Sequence, residues 1–351
     1  MVTQADATAA AHRPPRANTG DMPRRVNPML VWALVGAAFL GFEAFVWARW
    51  IGSANFAPRP VDTSSVPEFA SQVIAVTQVI SPIVCAFIVG RFLLWPLVRQ
   101  RRLTFDGMLV LAYFMLWFQD PMGNLVGTQL YYSSQWLNLG SWTRGSFPGW
   151  VNPTGNRLPE PILVMGFGYL WLGFLSAIAA CALMGRLRAR WPRMSGLELM
   201  AGALLLGVVL DVVAEVALAA AGTFAWPGAI RGLSLFPDQP YRFPMYEGVL
   251  FGAVIVSGGV LKFFRDDRGN TLVERGAERL RFPRPAVTGL RFLAVFGFMH
   301  LFMAVVYSVP MVFFGMYSDP LPRYPAHLEN GMCVVGPLHD PCPPLGAPTG
   351  G

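Results

Sequence analysis

The chain has 351 residues, 54% of them hydrophobic and only 13% charged, with a mean hydropathy of +0.45. A soluble domain carries about 25% charged residues, so this composition excludes an ordinary water-soluble enzyme and points to an integral membrane protein. The formal charge is +7, from 27 basic and 20 acidic residues, and the placement of the basic residues accounts for it without nucleic acid.

Residues 1–26 are polar, bear Pro and Arg, and lack an apolar core. They read as a disordered cytoplasmic tail rather than a signal peptide. Seven apolar segments follow, at 29–50, 69–98, 105–122, 161–185, 197–222, 245–264 and 290–316. Most reach the roughly 20 residues that a spanning helix needs. The third is the shortest, and Pro82 and Pro96 predict a kink or an early end in the second. Arginines cluster at 24–25, 99–102, 186–193 and 265–291, on alternate sides of these segments. The positive-inside rule then puts the N-terminus in the cytoplasm and the C-terminus outside. The expectation is an all-α integral membrane protein of about seven transmembrane helices, spanning residues 27–317 and lying in the cell membrane.

The outer loops, 123–160 and 223–244, are long. The first, with Tyr131, Tyr132, Trp136, Trp142 and Trp150, is either an aromatic belt at the membrane interface or a lid over an outward-facing pocket. No internal repeat is visible, which argues against a repeat-built transporter. Residues 318–351 form an extracytoplasmic tail whose Cys333 and Cys342 can pair in an oxidising compartment. Cys85 and Cys181 fall within spans and read as core residues. His327 and His339 lie near the tail cysteines, but their spacing fits no zinc pattern, so no metal site is expected.

The stretch "VVLDVVAEVALAAAG", residues 208–222, carries Asp211 and Glu215 on one helix face, four residues apart. Glu43, Asp120 and Glu247 fall in the same outward half of their spans, and His300 lies nearer the middle of the last. Charged groups at that depth are expensive and usually mark function. Carboxyls in a poor dielectric hold their protons more tightly, and a protonated one is a usable general acid beside an ionised base. The structural alternative is that each hydrogen-bonds a neighbouring helix. No basic residue deep in the spans offers itself as a counter-ion. Retinal chemistry is excluded, because the single lysine, Lys262, lies at the cytoplasmic end of the sixth span rather than in the seventh. Walker, dinucleotide, HExxH and GxSxG motifs are absent.

The Arg- and Pro-bearing tail with "VWALVGAAFL", then "FQDPMGN" and "YYSSQWLNLGSW" with the loop after it, resemble the AveC-like spirocyclases. These are bacterial membrane proteins of polyketide pathways, and the resemblance runs over roughly residues 25–317. It implies closure of a dihydroxy ketone on a macrolide to a spiroketal, with dehydration of the ring in some members. It implies no cofactor and carries over no catalytic assignment. The residues themselves nominate Asp211 or Glu215 as general acid, with the other as base or cation stabiliser, and Asp120 and Glu247 next. Tyr132 and Tyr246 could orient hydroxyls. Asn124, Tyr131, Trp136, Glu43 and His300 complete the expected substrate-binding set. The expected partners are the bilayer and a hydrophobic polyketide or other lipid-like small molecule. A proton-coupled carrier or exporter would use intramembrane carboxyls equally well, and a scaffold protein would have little reason to keep them.

Overall fold

The computed structural model describes residues 26–59, 66–317 and 324–332. The tail at 1–25 and the expected Cys333–Cys342 bridge lie outside them. The helices are α1 (Pro28–Ile51), α2 (Glu68–Gln100), α3 (Phe105–Leu116), α4 (Ile162–Arg190), α5 (Gly196–Ala220), α6 (Met245–Phe263), α7 (Arg284–Gly315) and α8 (Ala326–Glu329). Six of them, all but α3 and α8, are long and apolar enough to cross a membrane. The third expected span differs from the rest. Its α-helix stops at Leu116 and continues as a 3-10 helix, Trp117–Asn124. Pro121 lies inside that segment and has no N–H to give an α-helical ladder. Pro82 does not end α2. The helix runs on and absorbs its irregularity in a π-helical stretch, Val89–Leu94, just before Pro96.

Helix starts are chemically marked. Asn27 caps α1, accepting from the Met29 amide at 3.0 Å, and its own amide donates to the Gly276 carbonyl at 2.9 Å. Thr104 caps α3, and Ser195 with Glu198 forms a capping box at the start of α5. At the same end of the bundle, Lys262 pairs with Asp106 at 2.6 Å, and Arg291 holds the buried Glu274 through two nitrogens.

The opposite end carries the two long connections, and they are folded against each other. Strand β1 (Tyr131–Tyr132) pairs antiparallel with β2 (Phe224–Ala225), and β3 (Ser234–Leu235) with β4 (Phe243–Pro244). The aromatic residues of the first connection do not form an exposed belt. Tyr131, Tyr132, Trp136 and Trp142 are buried, because protein groups take their polar tips. Tyr131 donates to the Met332 carbonyl, Trp136 to that of Thr223 and Trp142 to that of Phe118. Trp142 centres an aromatic cluster with Trp47, Trp50 and Phe118.

Glycines set the closest crossings. A Cβ on Gly36 of α1 would land on the Leu293 carbonyl of α7, and one on Gly207 of α5 would land on the Gly252 carbonyl of α6. These backbones therefore touch, as small-residue crossings allow. Gly207→Leu must push α5 from α6, and overpacking of this kind costs about 1–3 kcal/mol. A clear drop in the thermal midpoint of the detergent-purified protein is expected for Gly207→Leu, with no drop for Gly41→Ala, where a Cβ meets nothing within 4 Å. Equal midpoints for Gly207→Leu and wild type would refute the crossing.

Candidate functional site: a carboxyl-lined cavity

The contact of Gly207 with Gly252 fixes how α5 and α6 run past each other. A Cβ on Gly248 would meet Val212 at 2.8 Å, so the helices are antiparallel, with Asp211 and Val212 beside Glu247 and Gly248. One turn further along α5, Glu215 comes level with the start of α6. Asp211, Glu215 and Glu247 thus each place an oxygen within 4.8 Å of the other two. Asp211 and Glu247 are wholly buried, and neither has a well-aligned hydrogen-bond donor among the described residues. They lie within hydrogen-bonding reach of each other, and Tyr307 of α7 stands beside Glu247. Glu215 accepts from the Trp226 indole at 3.3 Å. The spacing of the three suits a shared proton, and it would also suit a divalent cation.

A second carboxyl pair faces them. The 3-10 segment "WFQD" is tied down residue by residue. Trp117 donates to Glu160 at 2.9 Å, and the Phe118 carbonyl accepts from Trp142. Gln119 donates to the His300 carbonyl at 3.0 Å and accepts from Ser308 at 3.1 Å. Asp120 accepts from the hydroxyls of Tyr132 at 2.6 Å and Tyr169 at 2.9 Å. Glu160 lies within hydrogen-bonding reach of Asp120. Burial first, and the Asp120 charge second, hold the Glu160 carboxyl well above the usual carboxylate range. The same two causes push the Tyr132 hydroxyl up, so it remains a donor.

Asp120 and Glu215 look into one cavity from different walls. The cavity is narrow, with about 50 Å³ of space that a water-sized sphere can reach, and its walls include Tyr132, Tyr169, Phe224, Trp226, Phe251 and Tyr307. Among the described residues, no Lys, Arg or His lines it. Leu130 and Tyr132 bring the first long connection over the cavity, and Phe224 and Trp226 bring the second.

Not every nominated residue comes here. Glu43 does not join the other carboxyls. It pairs with His300, whose Nδ1 lies 2.8 Å from its Oε1, both side chains being fully buried. The expectation that none of these carboxyls finds a basic residue is corrected for Glu43 alone, whose neighbour is His300, and His300 stacks on Phe296 with ring centroids 4.0 Å apart. Arg49, at the outer end of α1, donates to the Gly145 carbonyl. Asn124 folds its own loop, accepting from the amides of Gln129 and Leu130. Tyr131 packs on Tyr324, and Trp136 reaches the Thr223 carbonyl. Tyr246 stacks on Phe314 beside a separate shallow groove. His327 of α8 lies against the Gly222 carbonyl.

The sequence reading missed Glu160, Tyr169, Trp226, Tyr307 and Arg242. Arg242 is fully buried, and its guanidinium donates to the carbonyls of Trp226 (3.3 Å) and Pro227 (2.6 Å), which holds Trp226 over Glu215. The only advance signal for these residues was composition, namely tyrosines within apolar segments and an arginine in a loop otherwise poor in charge.

No curated protein and no solved structure matches the chain. A family model, described as spirocyclase AveC-like, matches residues 100–328. That interval is narrower at its start than the resemblance read from residue 25. It omits α1 and Glu43, and it contains the whole carboxyl cavity. The chain belongs to the AveC-like spirocyclase family.

Proposed function

We propose that the protein is a membrane-embedded, cofactor-independent cyclase that closes a dihydroxy-ketone polyketide to a spiroketal. The observation that carries this reading is a cavity with aromatic and aliphatic walls, a carboxyl on each of two sides, and no basic residue among the described ones lining it. The family match supports the reaction class. Six long apolar helices support a site within the bilayer. The arginines at 186–190 fall at the end of α4 away from the cavity, which supports a cavity opening toward the outer face.

One hydroxyl of the substrate adds to the ketone and gives a hemiketal. Glu215 protonates the hemiketal oxygen, and water leaves. The resulting oxocarbenium ion lies between Glu215 and Asp120, and a carboxylate there stabilises it as in glycoside chemistry. The second hydroxyl attacks beside Asp120, and Glu215, left as a carboxylate, takes its proton. One water is released, and Glu215 is again the acid. Tyr132 and Tyr169 fix the orientation of Asp120, while Asp211 and Glu247 lie behind Glu215 as proton neighbours. Two full charges within 4.8 Å of each other repel by about 3.5 kcal/mol or more at an effective dielectric constant of 20. A cluster holding shared protons is therefore cheaper than three carboxylates, and a shared proton is one that Glu215 can give. Dehydration of the ring, where it follows, needs the same acid and base.

Glu215→Gln and Asp120→Asn each remove one proton-transfer group while keeping shape. A fall of about 10²–10⁴ in the cyclisation rate is expected, measured with a dihydroxy-ketone macrolide and detergent-purified protein, with loss of product stereocontrol. Full activity in both variants would place the acid elsewhere. A pH-gradient-driven flux of unreacted substrate into vesicles, without ketal formation, would favour the carrier.

Chelation separates protons from a metal at Asp211, Glu215 and Glu247. Turnover is expected to survive dialysis against EDTA. Loss of activity that added Mg²⁺ or Zn²⁺ restores would replace the proton-sharing cluster with a Lewis-acid site.

A further inference from the structure

The cavity is covered on the side of the long connections and weakly closed on the flank. Above it, the Ser133 amide donates to the Thr223 carbonyl at 3.0 Å, the Ser134 amide to the His327 carbonyl at 2.8 Å, and β1 is laddered to β2. The Asn330 amide holds the Tyr132 carbonyl at 2.8 Å. Opening this cover breaks several hydrogen bonds together. On the flank, by contrast, the cavity meets an apolar cleft between α2, α4 and α5 that holds about 980 Å³ of empty space and opens to the outside of the bundle. Cavity and cleft share Trp171, Ala214 and Leu218 as walls. Ala214 is small, so the bulk of the partition is Trp171 with Leu218, and Trp171 is the larger. Its indole is held by one hydrogen bond, to Ser81 Oγ at 3.0 Å. Such a bond contributes about 1 kcal/mol net.

The segment that carries Trp171 is π-helical, Tyr169–Phe174, and irregular turns of this kind often accompany functional sites. The cleft offers no free polar group. Thr77 is bonded to the Val73 carbonyl of its own helix, and Ser81 accepts from Trp171. Ala214 and Leu218 flank Glu215 on α5, so a chain lying along that helix in the cleft would bring its neighbouring carbons to the carboxyl.

We infer that the cleft between α2, α4 and α5 is the substrate's lateral entrance and the seat of its aliphatic part, with Trp171 as the movable partition. This rests on the cyclase reading above. The occupant is the hydrocarbon stretch of the dihydroxy ketone, delivered from the bilayer, while the oxygenated stretch passes Trp171 to reach Glu215 and Asp120.

The experiment uses the full chain in phosphatidylcholine vesicles and a dihydroxy ketone bearing a diazirine on its aliphatic tail. Photolabelling is expected on α2 around Ser81 and on α5 at Ala214 and Ala217. Excess unlabelled dihydroxy ketone should compete it away, although host lipid is already in vast excess. Glu215→Gln should label as wild type does, so a failure of the proposed chemistry leaves this result standing. Ala217 lines the cleft but not the cavity and is exposed on the bundle surface. The series Ala217→Val, Ala217→Leu and Ala217→Trp should lower kcat/KM progressively, by tenfold or more at Trp, and weaken labelling in parallel with little change in kcat. Labelling confined to the long connections, labelling that the substrate does not compete, or an unchanged kcat/KM in the correctly folded Leu and Trp variants would each overturn the lateral entrance.

Discussion

The contact of Gly207 with Gly252 is the constraint on which the site depends. Without side chains at these two positions the backbones of α5 and α6 touch, and their antiparallel register is fixed. Asp211, Glu215 and Glu247 then share a few ångströms whatever the surroundings. Left alone, three carboxyls in a buried place would drive the helices apart or draw in water. The backbone contact prevents the first, and the aromatic cover of Phe224, Trp226 and Tyr307 limits the second. The polar cluster is thus an expense set against close packing elsewhere, which is the usual condition of a functional site.

The 3-10 segment is the other organiser. An α-helix would send successive side chains round the axis at 100° each, and an uninterrupted α3 would carry some of "WFQD" into the wrong neighbourhood. The tighter winding before Pro121 lets Gln119 and Asp120 serve two separate networks. Gln119 binds the side of Glu43 and His300, and Asp120 binds the cavity side. Tyr307 and Ser308 repeat the arrangement from α7, with Ser308 reaching Gln119 and Tyr307 facing the cavity, in a π-helical stretch, Ala304–Ser308. Two adjacent-residue pairs on irregular helices therefore join the Glu43–His300 pair to the carboxyl cavity. Glu43 has an imidazole beside it, while no Lys, Arg or His among the described residues lines the cavity.

Hydropathy made the long helices legible, because burial in lipid or protein demands the same apolar runs of about 20 residues. Depth along those runs also brought out Asp211, Glu215, Asp120 and Glu247. What depth does not carry is azimuth. Glu43 has the same depth signal as the others, yet α1 lies against α7 and turns it toward His300. Glu160 gave no signal, since "LPEP" reads as a solvent loop, and only the folding of the first connection onto the bundle brings it to Asp120. The aromatic loop stays open between two readings for a related reason. Trp and Tyr suit an interface and a core equally by composition, and the choice is made by carbonyls from distant segments such as Thr223 and Met332. The short α3 was foreshadowed by its length, but its 3-10 continuation is set by Pro121 and by the side-chain anchors around it.

Under the cyclisation proposed above, these parts fit one chemical requirement. Ketal closure passes through a cation that any nearby water would quench back to the hemiketal, so an enzyme must supply protons without supplying bulk solvent. A soluble active site meets that by closing a lid. Here the proton source can be internal. Asp211 and Glu247 stand behind Glu215, and Glu160 stands behind Asp120, so each carboxyl at the cavity wall has a buried carboxyl at its back. A proton given to the hemiketal can be replaced from that neighbour, and the one taken from the second hydroxyl can be stored there. The walls are then free to be apolar, and an apolar wall can open sideways to a greasy substrate while remaining closed to water.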